Sequence, residues 1–106
     1  MSKKQIEQEI KIITQQLIEK YKPEKIILFG SAALGKFCPD SDLDFLIVKK
    51  NTPYYGIERM REVERLIETS FPCDFLVARP SEVKKRLWLG DPFLKLIFKE
   101  GRVLYG

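Results

Sequence analysis

The chain contains no histidine, and its two cysteines, Cys38 and Cys73, stand far apart in the sequence. The absence of histidine excludes Ser-His-Asp and Cys-His catalysis, and the cysteines lack the close pairs of a zinc site. We expect both cysteines to fill space in the core rather than to react. A metal ion on this chain would therefore be held by carboxylate oxygens, which magnesium and manganese prefer.

Long hydrophobic runs are also missing. No apolar run approaches the roughly 20 residues of a membrane span, and the opening MSKKQIEQEI has glutamates and a helical period instead of the apolar stretch of a secretion signal. We therefore expect a cytoplasmic protein that neither spans a membrane nor loses a leader. The length of 106 residues predicts a single domain over residues 1–106 with one core.

Charged residues of both signs are numerous and are distributed along the sequence. The formal charge of +4 comes from 19 basic and 15 acidic side chains, which do not gather in one block. Dispersed charge of this kind predicts an ordinary solvated surface, and this includes the run Lys84 to Arg86. We do not expect nucleic acid as a direct partner.

The spacing of the apolar residues predicts an α/β fold in which helices flank a small sheet. An apolar period from Ile6 to Tyr21 predicts a helix that ends before Pro23. Short apolar runs predict strands over residues 25–29, 43–48 and 73–78, with 101–105 as a candidate terminal strand. Further helices are predicted over 57–70, from an N-cap at Ser81 through Leu89, and over 92–99 after a cap at Asp91.

Three aspartates carry the clearest chemical signal. Side chains alternate along a strand, so Asp42 and Asp44 project from the same face, with alpha carbons about 6 to 7 Å apart. Asp74 opens the third strand and joins them if that strand lies parallel beside the second. Such a cluster repels itself unless a cation sits within it, and it could bind two magnesium ions about 3.5 to 4 Å apart.

A Gly-Ser turn supplies the complementary half of the predicted site. Gly30 ends a buried strand, where a glycine lets the backbone approach a ligand, and Ser31 adds a hydroxyl donor. The segment SAALGK is predicted to form a short helix whose first amides face a phosphate. Taken alone, Gly-Ser is most often a plain turn, SDLD is often a cap, and Asp40 reads as a turn residue after Pro39.

The stretch GSAALG followed by PDSDLDFLIV resembles the GSxARG and [S/T]DxD signature of the DNA polymerase beta-like nucleotidyltransferase superfamily, specifically its minimal, MNT-type members. The resemblance spans the whole chain and includes the later aspartate in CDFLV. It implies a mixed sheet with helices, magnesium (two ions when nucleotide is bound), and transfer of a nucleoside monophosphate from a triphosphate such as ATP to a hydroxyl.

The same resemblance implies a role for each matching residue. Gly30 and Ser31 would hold the triphosphate, Asp42 and Asp44 would ligate the metals, and Asp74 would be the third metal ligand and help to activate the attacking hydroxyl. Leu34 stands where the motif has arginine, so one cation of the site is missing.

The acceptor of the transferred nucleoside monophosphate is implied by the resemblance alone. Minimal members resemble antitoxins whose partners are HEPN-domain ribonucleases, and some adenylylate a tyrosine of that toxin. This implies AMP transfer to a HEPN partner, with a homo- or hetero-oligomer as its setting. A contact-only antitoxin is the alternative that Leu34 motivates, and a small-molecule or RNA nucleotidyltransferase with a separate acceptor-binding protein is another. An aromatic-rich segment offers a partner surface, although core packing is the commoner use of such residues: Leu87, Trp88, Leu89, Phe93, Leu94, Ile97 and Phe98.

Overall fold

A computed structural model describes residues 2–36 and 42–106. It shows the α/β architecture that the sequence predicts. The elements in chain order are α1 (Lys3–Gln16), a π-helical turn (Leu17–Tyr21), β1 (Lys25–Phe29), β2 (Leu43–Val48), α2 (Gly56–Leu66), β3 (Cys73–Ala78), α3 (Pro80–Trp88), α4 (Pro92–Glu100) and β4 (Arg102–Tyr105).

The four strands form one mixed sheet in the order β3-β2-β1-β4. Strand β2 is parallel to β3, whereas β1 is antiparallel to both β2 and β4. The prediction that Asp74 joins Asp42 and Asp44 requires this parallel pairing of β2 and β3, and the structure shows it. It places the start of β2 and the start of β3 at the same end of the sheet, where β1 finishes.

Helices cover both faces of the sheet. On one face, α1 and α2 pack over a core that includes Ile13, Phe45 and Val63. On the other face, α3 and α4 pack over a second core that includes Leu46, Val83 and Leu94. Because side chains alternate along β2, Asp44 points to the same face as Leu46, the face that carries α3 and α4.

The strand predictions are confirmed, but three helical predictions need correction. Residues 31–35 form a turn rather than a short helix. Helix α2 ends at Leu66, four residues before the predicted end at Ser70, because Ile67 already has an extended backbone (φ −105°, ψ 129°). Helix α3 starts at Pro80, so Ser81 lies inside it and is not its N-cap.

The start of α3 has a different cap from the predicted one. The Glu82 carboxylate accepts a hydrogen bond of 2.7 Å from the backbone N–H of Arg79, and Pro80 occupies the first helical position, where a missing N–H costs nothing. The predicted cap at Asp91 is confirmed, since its carboxylate accepts hydrogen bonds from the backbone N–H groups of Phe93 and Leu94.

The predictions for Cys38 as a core residue and Asp40 as a turn residue lie outside the described residues. Cys73 is half-buried and packs against the first core, and burial raises the pKa of its thiol to about 11. A thiol with such a pKa stays protonated at neutral pH, which agrees with a space-filling role. None of the helices in residues 2–36 and 42–106 is long and apolar enough to cross a membrane.

Candidate active site

Carboxylates form a row across the start of β2 and β3. Asp44 is the direct register partner of Asp74 across the parallel pair, and on its other side it is the partner of Phe29 at the end of β1. Asp42 precedes β2 by one residue and is exposed to solvent. The structure therefore places Asp42, Asp44 and Asp74 at the same end of the sheet, with Asp44 and Asp74 side by side on neighbouring strands.

The Asp44 carboxyl is affected by the charges of the other two aspartates. Burial raises the pKa of the Asp44 carboxyl, and the negative charges of Asp74 and Asp42 raise it further. Such mutual repulsion is relieved by a cation bound between the groups. The donors are hard oxygen ligands, which fit magnesium. Within residues 2–36 and 42–106, however, no three carboxylate or thiol side chains are already gathered as a metal site.

Gly30 brings the Gly-Ser turn directly against Asp44. Its φ is +78°, in the left-handed region that favours glycine. A Cβ on this residue would overlap Oδ2 of Asp44. The absence of a side chain is therefore what allows the end of β1 to approach the carboxylate row.

The turn that follows is held by its own backbone. The carbonyl of Ser31 accepts hydrogen bonds from the N–H groups of Leu34 (3.2 Å) and Lys36 (2.9 Å), and the N–H of Gly35 donates to Ala32. Since this segment is a turn and not a helix, any phosphate binding here depends on the local amides and the Ser31 hydroxyl rather than on a helix dipole.

Replacing Gly30 by alanine should impair both halves of the site. A left-handed backbone costs a non-glycine residue about 1–2 kcal/mol, and the added methyl group would displace the Asp44 carboxylate. We expect a lower melting temperature and a loss of nucleotide transfer. Gly90→Ala is the matched control: Gly90 also has a positive φ (+84°), but an added Cβ would meet only the end of the Lys95 side chain at 3.8 Å, so stability should fall while transfer is kept. A Gly30→Ala variant with wild-type turnover would contradict this account of the turn.

A cavity of about 350 Å³ lies beside the turn, between Ser31 and the C-terminal half of α4. Leu34 and Lys36 both line it, together with Leu96 and Glu100 of α4. The structure thus places a leucine at the wall where the motif has arginine, and a lysine two residues later at the same wall.

The aromatic-rich segment divides between core and surface. Leu94 and Ile97 are buried in the second core, and Leu87 packs against it. The exposed members include Trp88, whose surface is 84% accessible, and Leu89, at 64%. Phe93 and Phe98 are also exposed, and Phe93 makes an edge-to-face contact with Phe29, ring centroids 5.8 Å apart.

Arg59 was not identified from the sequence, although it is the one buried charged residue in the described part of the chain, with 4% of its surface exposed. Its guanidinium forms an ion pair of 2.7 Å with Glu82. It also donates to the backbone carbonyls of Pro53, Tyr54 and Val77. Arg59 therefore fastens the loop before α2 to β3 and α3. The available signal was its position four residues before Val63, on the core-facing side of α2.

Comparisons with known proteins agree with this geometry. Residues 8–106 match the family model "Polymerase beta, Nucleotidyltransferase". The chain is 33% identical over 102 residues to a protein of Methanocaldococcus jannaschii named "Putative protein adenylyltransferase", and the match covers 93% of this chain and 97% of that protein.

A solved structure is similar as well. The crystal structure of "a putative nucleotidyltransferase from Sulfolobus solfataricus" superposes with a TM-score of 0.57 at 26% identity, covering 74% of this chain and 73% of that one. The chain thus belongs to the polymerase beta nucleotidyltransferase family, and it is a nucleotidyltransferase.

Proposed function

We propose that this nucleotidyltransferase moves AMP from ATP to a hydroxyl group of a protein partner, with magnesium. The observation that carries the proposal is the register of Asp44 with Asp74, combined with the close approach of Gly30 to Asp44. The name of the Methanocaldococcus relative supports a protein as acceptor.

The roles follow from the positions. Asp42, Asp44 and Asp74 would hold magnesium, which supplies positive charge to the phosphate oxygens during transfer. Gly30 lets the turn lie directly against Asp44, and the Ser31 hydroxyl that follows can donate a hydrogen bond to the triphosphate. Asp74 lies on the far side of Asp44 from the turn, where it can orient an entering hydroxyl and accept its proton.

The acceptor oxygen forms a bond to the α-phosphorus of ATP, and the bond from that phosphorus to the bridging oxygen breaks. Pyrophosphate leaves with the electron pair. The hydroxyl proton passes to a carboxylate and then to water, so no oxidant or further reactant is needed.

The partner that we propose is a HEPN-domain ribonuclease, which the transferred AMP would neutralise, so that this chain acts as an antitoxin. The family resemblance carries this choice. It is also supported by the exposed Trp88 and Leu89, since large apolar side chains at the surface are typical of interaction sites.

A second candidate, a non-catalytic antitoxin that blocks its partner by contact, is favoured by one observation. Leu34 lines the cavity beside the turn at the position of the motif arginine, so the phosphate end of the site lacks that cation. This candidate predicts that protection of cells from the toxin survives replacement of Asp42 and Asp44 by asparagine.

The test is to incubate the purified chain with magnesium and each of the four nucleoside triphosphates, labelled at the α-phosphate, with and without the candidate HEPN protein. We expect the partner to gain the mass of one AMP. A tight complex with no transfer from any triphosphate would instead support the contact-only antitoxin, and labelling of RNA or an antibiotic by the isolated chain would support the small-molecule or RNA enzyme.

A further inference from the structure

The direction from which the acceptor oxygen attacks the α-phosphorus indicates the side of the sheet on which the acceptor binds. Resting on the proposed function, the reaction is an in-line displacement, so the acceptor oxygen enters on the side of the α-phosphorus opposite to the leaving pyrophosphate. The phosphate-binding turn follows β1, Asp44 lies on β2, and Asp74 lies on β3 at the edge of the sheet. With pyrophosphate on the β1 side, the acceptor must approach from the β3 side.

A groove of about 450 Å³ lies on that side, between α3 and β3. Leu76 forms part of its floor, two residues beyond Asp74 and on the same face of β3. Leu89 lines it from the end of α3, and Tyr54 lines it from the loop before α2. On β3 the groove is lined by Leu76, Val77 and Ala78, so its nearest β3 residue, Leu76, lies two positions beyond Asp74, and part of its lining is apolar or aromatic.

Within the described residues, one cationic side chain that lines the groove has no ion-pair partner. Arg59 and Glu82 form an ion pair with each other, and Arg86 is paired with Asp91 at 2.8 Å. Lys85 also lines the groove, is exposed, and has no ion-pair partner among residues 2–36 and 42–106. One unpaired cation suits a ligand with a single carboxylate rather than a polyanion such as RNA, whose binding depends on several cations that contact phosphates.

We propose that this groove binds the acceptor of the transfer reaction, as a peptide segment that carries an apolar side chain against Leu76 and Leu89 and an acidic side chain against Lys85. The hydroxyl that receives AMP lies at the end of the groove nearest Asp74. Lys85 therefore selects the acceptor by charge, while taking no part in the chemistry.

The test uses two fluorescein-labelled peptides that each contain a tyrosine and leucines, one with glutamates beside the tyrosine and one with lysines in their place. Fluorescence anisotropy with the full chain should show tighter binding of the acidic peptide. Lys85→Glu should weaken binding of the acidic peptide about tenfold and favour the basic one. Lys84→Glu makes the same charge change on the same helix, but Lys84 does not line the groove, so this control should change the affinity little.

Peptide binding is measured without nucleotide transfer, so failure of the acceptor groove can be distinguished from failure of the proposed function. Failure to bind either peptide, or equal effects of Lys85→Glu and Lys84→Glu, would overturn the acceptor groove. An RNA oligonucleotide that binds more tightly than the peptides and is released by Lys85→Glu would overturn it in favour of nucleic acid. Discrimination between the peptides with no AMP transfer to any acceptor would uphold the groove and refute the enzyme mechanism.

Discussion

Replacing Asp42 and Asp44 together by asparagine should abolish nucleotide transfer. The metal that these carboxylates would hold supplies several kcal/mol of charge stabilisation, and each 1.36 kcal/mol is about a factor of ten in rate. The expected loss is therefore about a thousandfold or more. The fold should persist, because asparagine has nearly the size of aspartate and the change removes the repulsion of the Asp44 carboxylate by Asp42 and Asp74.

The measurement is the rate of transfer from labelled ATP to the protein partner, with circular dichroism as the check on folding. Glu58→Gln combined with Glu64→Gln is the matched control, since it removes two exposed carboxylates from α2, on the other face of the sheet. Transfer by the asparagine variant within tenfold of wild type would remove the carboxylate row from the mechanism.

Replacing Arg59 by methionine should have the largest effect on stability. The change keeps the aliphatic length but leaves the carbonyls of Pro53, Tyr54 and Val77 without the Arg59 donor, while the Glu82 carboxylate loses its ion pair and keeps the hydrogen bond from the Arg79 N–H. Removing one partner from such a buried network costs about 2–4 kcal/mol. For a domain of this size we expect the melting temperature to fall by roughly 10–20 °C.

Arg61→Met is the control, because Arg61 is exposed on the same helix and should change stability little.

Acid titration of wild type and Arg59→Met provides a second check. The hydrogen bond from Arg59 lowers the pKa of Glu82 below its ordinary value of 4.5. A lowered carboxyl pKa stabilises the fold above 4.5 and this contribution is lost as the pH falls further. The gap between wild type and Arg59→Met should therefore narrow below pH 4.5. Equal melting temperatures for the two variants at pH 7 would contradict the anchoring role of Arg59.

The strands could be predicted from the sequence because each is a short apolar run with clear limits. Gly30 ends the first run, and Pro72 precedes the third, so periodicity and local turn chemistry agree. The alternation of side chains along a strand predicts the face on which Asp44 lies, and the assumption that β2 and β3 are parallel places Asp74 beside it.

Features that depend on distant partners could not be predicted in this way. The cap of α3 is a Glu82 carboxylate that also binds Arg59 in another helix, so no local pattern reveals it. The early end of α2 places Ile67 in the core from an extended backbone, whereas its apolar spacing suits a longer helix equally well. The groove beside β3 is a product of tertiary packing between α3, β3 and the loop that Arg59 holds.

The most direct test of the central claim is to measure by calorimetry the binding of ATP to the purified chain, with magnesium and then with a chelator in its place. We predict that ATP binds with magnesium, that the chelator removes most of this affinity, and that the variant with Asp42 and Asp44 replaced by asparagine does not respond to magnesium. Equal affinity with and without the metal, or an unchanged response in the variant, would contradict the claim that these aspartates form a metal and nucleotide site.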